Sequence, residues 1–240
     1  MSKVLVLRTC NDDGTSRNSF VWPLTVGSTV TCPDWDSKPE CGNGLHGLLW
    51  GEGNGELLSW EEDDKWLVLE VEESDIIDLG GKVKFPSCKV VHVGDQKSAT
   101  NYMYEHSKLK AIVGLMIQVG NSSTILSGYG SKITSGEGSK ITSGEGSKIT
   151  SGDYNTITSG DYSTITSGNY STITSGNRST ITSENGSKVK AGKGSMISIS
   201  YWDDSKNRSR LVTAYVGEDG IEANVFYSLK VEYKFEKVEE

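Results

Sequence analysis

The chain has 240 residues, a hydrophobic share of 35% and a formal charge of −8. No run of about eighteen apolar residues is present to span a bilayer, Met1, Ser2 and Lys3 followed by only Val4–Leu7 do not read as a signal peptide, and an acidic chain without a basic block is a poor ligand for nucleic acid. The expectation is a cytoplasmic protein without membrane or nucleic-acid partners and without cofactors, whose partner is an unidentified protein or a second copy of itself.

At the N-terminus, Lys3–Arg8 and Lys65–Val71 read as strands, and so do Gly81–Phe85 and Cys88–Val93. Lys97–Lys110 sets Ala99, Tyr102, Met103 and His106 at helical spacing. Together they predict an α+β domain over 1–118, large enough for one core. Its four cysteines, without a secretory signal, are expected as reduced thiols. Cys32, Cys41 and His46 are separated by eight and four residues and Cys88 and His92 by three, which offers soft ligands for zinc. No C-x2-C pair is present and the spacing fits no finger or ribbon, so buried thiols are expected and no metal.

Gly42–Gly47 is rich in glycine and carries His46, a group able to serve as acid, base or ligand. The simpler reading is a tight turn closed by a hydrogen-bonded histidine, with no catalytic residue. The alternative is an enzyme with a nucleotide-type site there, faintly similar to the Gly-x-Gly-x-Tyr strand of ADP-ribosyltransferases, with Glu70, Glu72 and Glu73 as available acids. Gly51–Gly55 lacks the spacing of a calcium loop, and Glu61–Asp64 reads as a solvated loop.

The middle is a repeat. Residues 120–195 hold 14 of the 28 glycines, and an apolar column recurs every eight positions: Ile125, Ile133, Ile141, Ile149, Ile157, Ile165, Ile173, Ile181, Val189, Ile197. Within an octad Ser163, Ile165 and Ser167 face one way and Thr164 and Thr166 the other, before a turn at Gly168–Tyr170. One octad supplies one strand and one corner, so two octads close a coil of sixteen residues and alternate octads occupy opposite faces. The fold class that follows is mainly β: a short parallel β-solenoid over 119–198, about five coils and ~24 Å long. Exposed coil ends are adhesive strand edges, which predicts an N-terminal α+β cap over 1–118 and a C-terminal β hairpin or meander over 199–240. Tyr201, Trp202, Val212, Tyr215, Phe226 and Tyr227 are expected to cover the last coil.

Threonine pairs recur at Thr156 and Thr158, Thr164 and Thr166, Thr172 and Thr174, and Thr180 and Thr182, two pairs to each face. Lys132, Lys140 and Lys148 replace the first threonine in earlier octads. These rows are the candidate binding surface. Tyr154 and Tyr170, two octads apart, are expected to stack along one edge, with Tyr162 on the other, and an aromatic edge is a contact site for self-association.

Octads such as SGYGSKIT, SGDYSTIT and SGNYSTIT resemble the repeats of bacterial ice-nucleation proteins, whose unit is two such octads. The resemblance implies a solenoid with a flat lattice of hydroxyls and methyls. Small and interrupted by lysine, this lattice implies weak ice binding at most. The flanking segments Phe20–Pro23, Cys32–Trp35, Cys41–Leu48, Trp66–Glu72, Val91–Asp95 and Ala214–Tyr227 resemble a phage and prophage family in which a C-G-x-G-(L/F)-H domain precedes such octapeptides. That resemblance implies a non-catalytic binding or structural protein of phage type, acting in the bacterial cytosol.

Overall fold

A computed structural model of the protein describes residues 2–16, 19–107 and 109–239. It is mainly β, 43% strand and 9% helix, and divides into two compact units, Met1–Met116 and Ile117–Glu240.

The first unit is a seven-stranded sheet of β1 (Lys3–Cys10), β2 (Thr29–Thr31), β3 (Leu45–Leu49), β4 (Lys65–Glu72), β5 (Ile77–Asp78), β6 (Val83–Phe85) and β7 (Ser87–Gly94), in the order β2-β7-β4-β1-β3-β6-β5. β1 and β4 pair antiparallel over their whole length, from Lys3 opposite Glu72 to Cys10 opposite Lys65. Alternation sends Val4, Val6 and Cys10 to one face, where they join Trp22, Leu67, Leu69, Val71, Phe85 and Val90 in a buried core. Leu7 and Val68 are buried on the other face. The helix α1 (Gln96–His106) packs against β4 and β7 and buries Ala99, Thr100 and Met103. Its N-terminus is fixed by Asp95, whose carboxylate accepts from the Ser98 N–H at 2.7 Å.

Two expectations need correction here. The helix stops at His106 instead of Lys110, because Ser107 leaves the helical region at φ −144 and ψ 55; Lys108 lies outside the described residues. The Gly42–Gly47 segment is not one tight turn, since Leu45–Leu49 is strand β3 and His46 and Gly47 belong to its ladder. Gly47 is required by close approach: a Cβ there would stand 2.4 Å from Val6 Cγ1 and 2.7 Å from the Leu7 carbonyl oxygen.

The second unit is the solenoid. One sheet stacks β8 (Met116–Gln118), β10 (Lys132–Ser135), β12 (Lys148–Ser151), β14 (Thr164–Thr166), β16 (Thr180–Ser183) and β18 (Met196–Asp203), and ends in β19 (Arg208–Tyr215). The other stacks β9 (Thr124–Leu126), β11 (Lys140–Ser143), β13 (Thr156–Ser159), β15 (Thr172–Ser175) and β17 (Lys188–Ala191), and ends in β20 (Phe226–Leu229) and β21 (Phe235–Lys237). From β9 and β10 onward the repeat strands pair in parallel, each residue facing the residue sixteen positions on, as Ile149 faces Ile165 and Ile157 faces Ile173. The isoleucine column is buried throughout. About five coils form, as the octad periodicity predicts.

Glycine serves two separate ends at the corners. Gly160 has an ordinary φ, but a Cβ there would lie 2.6 Å from the Glu145 backbone nitrogen of the adjacent coil. Two residues later in each octad the backbone is left-handed, and Gly130, Gly138 and Gly146 adopt it at φ 65 to 68. Beyond the last coil, β18 and β19 form an antiparallel hairpin from Met196 opposite Tyr215 to Asp203 opposite Arg208. Phe226 and Tyr227 are buried as expected, but Trp202 and Tyr215 are 53% and 52% exposed. The last rung of β16 on β18 joins Ser183 to Ile199, so Trp202 lies past the width of the coil, whereas Tyr215 stands opposite Met196, on the face of the ladder away from buried Ile197.

Candidate functional sites

The coil interior consumes most of its own polarity. Serines at the first octad position are buried, and several of their hydroxyls accept from a backbone N–H of the preceding coil: Ser163 donates to Ser179 Oγ at 3.2 Å, Ser171 to Ser187 Oγ at 3.2 Å, and Ser179 to Ser195 Oγ at 3.0 Å. The second serine column adds hydroxyl contacts, Ser151 to Ser167 at 3.0 Å and Ser167 to Ser171 at 2.8 Å. At the corners Asp161 accepts the Asn177 N–H at 2.8 Å, and Asn177 in turn accepts from Lys193 at 2.9 Å. These bonds from Asn177 hold the Asp161 carboxyl below its ordinary range. Recognition chemistry is therefore left to the outward residues.

On the sheet of β10 to β18, Thr134, Thr150, Thr166 and Thr182 stand opposite one another in sequence, with Ser198 following. The neighbouring column reads Lys132, Lys148, Thr164, Thr180 and Met196. On the other sheet Thr142, Thr158 and Thr174 align, beside Lys140, Thr156, Thr172 and Lys188. The eight threonines singled out from sequence thus fall two pairs to a face. A search for Thr-x-Thr alone misses the four-threonine column, because the Lys-Ile-Thr octads supply only its second member. The octad register itself carries that signal.

Tyr154, Tyr162 and Tyr170 occupy the left-handed corner position at φ 56, 54 and 54, which Arg178 also takes at φ 53 and which glycine fills at Gly130, Gly138, Gly146, Gly186 and Gly194. Tyr154 and Tyr170 stack with ring centroids 5.3 Å apart and planes 10° from parallel, both more than half exposed. Tyr162 lies on the opposite edge beneath the Arg178 guanidinium, which sits 5.5 Å from the ring centre and donates to the Tyr162 hydroxyl.

The first unit contains a hollow of about 780 Å3 bordered by Arg8, Trp22, Cys32, Asp34, Cys41, His46 and Lys82 among others. His46 Nε2 is buried with no hydrogen-bond partner. Burial first, and then the charges of Lys82, Arg8 and Lys84, push the His46 imidazole down to about 4. Of the acids considered for it, Glu70 is held by Lys3 at 2.6 Å, and Glu70, Glu72 and Glu73 do not border the hollow.

The five soft ligands are not gathered at one point. Cys32 Sγ donates to Asp34 at 3.0 Å, Lys82 donates to Cys41 Sγ at 2.9 Å, and His92 Nε2 meets Ser98 Oγ at 3.1 Å. Among the described residues no three His, Cys, Asp or Glu side chains come together as a metal site. Cys10, Cys32 and Cys88 are buried thiols, and Cys41 is an exposed one. Burial pushes the Cys10 and Cys88 thiols up to about 11 and about 12.

A profile described as a domain of unknown function, DUF7666, matches residues 4–105. The chain is 41% identical over 128 residues to an ice nucleation protein of Pseudomonas fluorescens, covering 52% of this chain and 10% of that protein. It is 44% identical over 105 residues to an ice nucleation protein of Pseudomonas syringae, covering 43% of this chain and 9% of that protein. Against the ice nucleation protein InaU of Pantoea ananas it is 38% identical over 106 residues, 43% of this chain and 10% of that protein. The chain spans about a tenth of the length of these curated relatives. No solved structure matches it. The protein carries an ice-nucleation-protein-like repeat solenoid beside a domain of unknown function, and no described helix is long and apolar enough to cross a membrane.

Proposed function

We propose that the protein is a non-catalytic structural or binding protein of phage or prophage type, which acts through the outer surface of its solenoid and self-associates along the Tyr154–Tyr170 edge. The observation that carries this reading is the corner column. An exposed tyrosine at positive φ is about 1–2 kcal/mol less favourable than glycine at the same place, and glycine occupies this corner at Gly130, Gly138, Gly146, Gly186 and Gly194. Aromatic rings held rigid on an exposed edge are characteristic of interface centres. The N-terminal unit acts in this reading as a cap, and the cytosol as its place of action. Light scattering on the wild type and on the Tyr154→Ser, Tyr170→Ser double variant tests it: a mass that falls to the monomer in the variant supports the reading, and an unchanged mass ends it.

A second reading is favoured by the in-register column Thr134, Thr150, Thr166 and Thr182 and by the ice nucleation proteins among the relatives. Stacked strands repeat at ~4.8 Å, so the column is a short regular row of hydroxyls and methyls capable of weak ice binding. Droplet-freezing and ice-shaping assays separate the two readings: activity lost in Thr150→Lys, Thr166→Lys favours the second, and behaviour equal to an unrelated protein removes it.

A further inference from the structure

The hollow in the first unit arises where the sheet opens. The β1–β3 ladder joins Val6 to Leu49 and Leu7 to Leu48 and goes no further, although β1 continues to Cys10 and β3 begins at Leu45. Arg8 bridges the opening, its Nη1 donating to the His46 carbonyl at 3.1 Å. Its guanidinium also lies over the Trp22 ring at 4.1 Å from the centre, which fixes the plane of the fork.

Three cations meet at this place. Arg8 and Lys82 border the hollow. Lys84, the cross-strand partner of His46, is 1% exposed and has for contacts the Gly42 carbonyl at 3.4 Å and the Trp35 ring at 5.6 Å. Among the described residues none of the three is ion-paired. A buried ammonium with a single long hydrogen bond is costly to keep, and it fixes a positive field behind the wall at His46. Two acids also border the hollow: Asp34, which accepts from Cys32, and Glu56 on the one-turn helix Gly55–Leu57. Thr15, Ser16 and Ser59 add hydroxyl-bearing residues to the border of the hollow.

We propose that this hollow binds a small organic anion through a phosphate or carboxylate group, with Arg8 and Lys82 as the contacting cations and Lys84 as a positive charge behind them. Guanidinium and ammonium groups held without carboxylate partners are suited to such ligands, and the volume matches that of small-molecule sites. The proposal is independent of the self-association reading.

The test is calorimetric titration of the full chain with inorganic phosphate, pyrophosphate and citrate, at ionic strength held constant with potassium chloride. Saturable binding of at least one anion is expected, weakened about tenfold or more by Lys82→Gln and unchanged by Lys148→Gln on the solenoid. Lys82 lies outside the strands, so its replacement leaves the sheet intact even where Arg8→Gln fails to fold; circular dichroism verifies this. Absence of saturable binding by all three anions would overturn the proposal, and so would equal affinity in Lys82→Gln and the wild type. The phosphate and citrate arms distinguish the two anion chemistries.

Discussion

At the scale of single residues, the corners separate two uses of glycine that composition alone merges. Gly160→Ala places a methyl against the backbone of the adjacent coil and is expected to cost roughly 1–3 kcal/mol, seen as a lower unfolding midpoint. Tyr154→Gly exchanges a ring stack worth about 0.5–1.5 kcal/mol for relief of left-handed strain of similar size, so stability should change by less than about 1 kcal/mol. A large loss there would mean that the tyrosine serves the fold instead of a surface. Glu184, which stands where Gly160, Gly168 and Gly176 stand in the preceding octads, is accommodated with its carboxylate accepting from Asn169 Nδ2 at 2.8 Å and its N–H 3.4 Å from the Gly168 carbonyl.

His46 gives a residue-scale prediction in pH. Its folded value of about 4 lies below the ordinary 6.5, so the folded state resists a proton that the unfolded chain takes up. The stability linked to neutral His46 is complete above 6.5 and is lost as pH falls toward 4, roughly 1–2 kcal/mol by pH 5. His92, also lowered by burial, acts in the same direction. An NMR titration that places the His46 ring near 6.5 would contradict this. From sequence, His46 was legible as a chemically capable group but not as a strand residue, because Gly42, Gly44 and Gly47 read as a turn. Gly47 instead answers to the packing of Val6 and Leu7 across the sheet, a tertiary contact that no local pattern announces.

At the scale of elements, each repeat strand contributes one isoleucine to a core with no other bulk. Ile165→Ala should therefore cost about 2–5 kcal/mol, and Ser179→Ala about 1–3 kcal/mol, because it leaves the Ser163 N–H without its acceptor. Chemical denaturation of the two variants measures both. These strands were legible in full, since a period of eight with alternation inside it fixes strand, corner and register together. The short strands Thr29–Thr31 and Ile77–Asp78 were not, because two or three residues carry no periodicity and their pairing with β7 and β6 is decided elsewhere in the chain. The helix was legible in kind, but its end was not. Apolar spacing continues past the point where Ser107 departs from helical geometry.

At the scale of the whole molecule, the two units divide the composition between them: large apolar side chains in the first, and glycine, serine and threonine around a column of isoleucine in the second. Many interior hydroxyls bond within and between coils, with Ser127, Ser175 and Ser183 as exceptions, and what the solenoid offers outward is threonine, lysine and a stacked pair of tyrosines. The four cysteines follow the same logic of burial. Cys41 alone should react promptly with a thiol reagent in the native protein, with Cys10, Cys32 and Cys88 modified only on unfolding; mass spectrometry counts the adducts, and more than one rapid adduct would contradict the placement. The exposure of Trp202, expected as cover for the last coil, was decided by how far β18 outruns its rung on β16, and that of Tyr215 by its place opposite Met196 on the outward face, a length and a register that hydrophobicity does not encode. Self-association of the molecule depends on the tyrosine edge. Light scattering across a concentration series should give a dimer mass for the wild type and a monomer mass for Tyr154→Ser, Tyr170→Ser with an unchanged circular dichroism spectrum, whereas a monomeric wild type, or a variant that keeps the dimer mass, would contradict it.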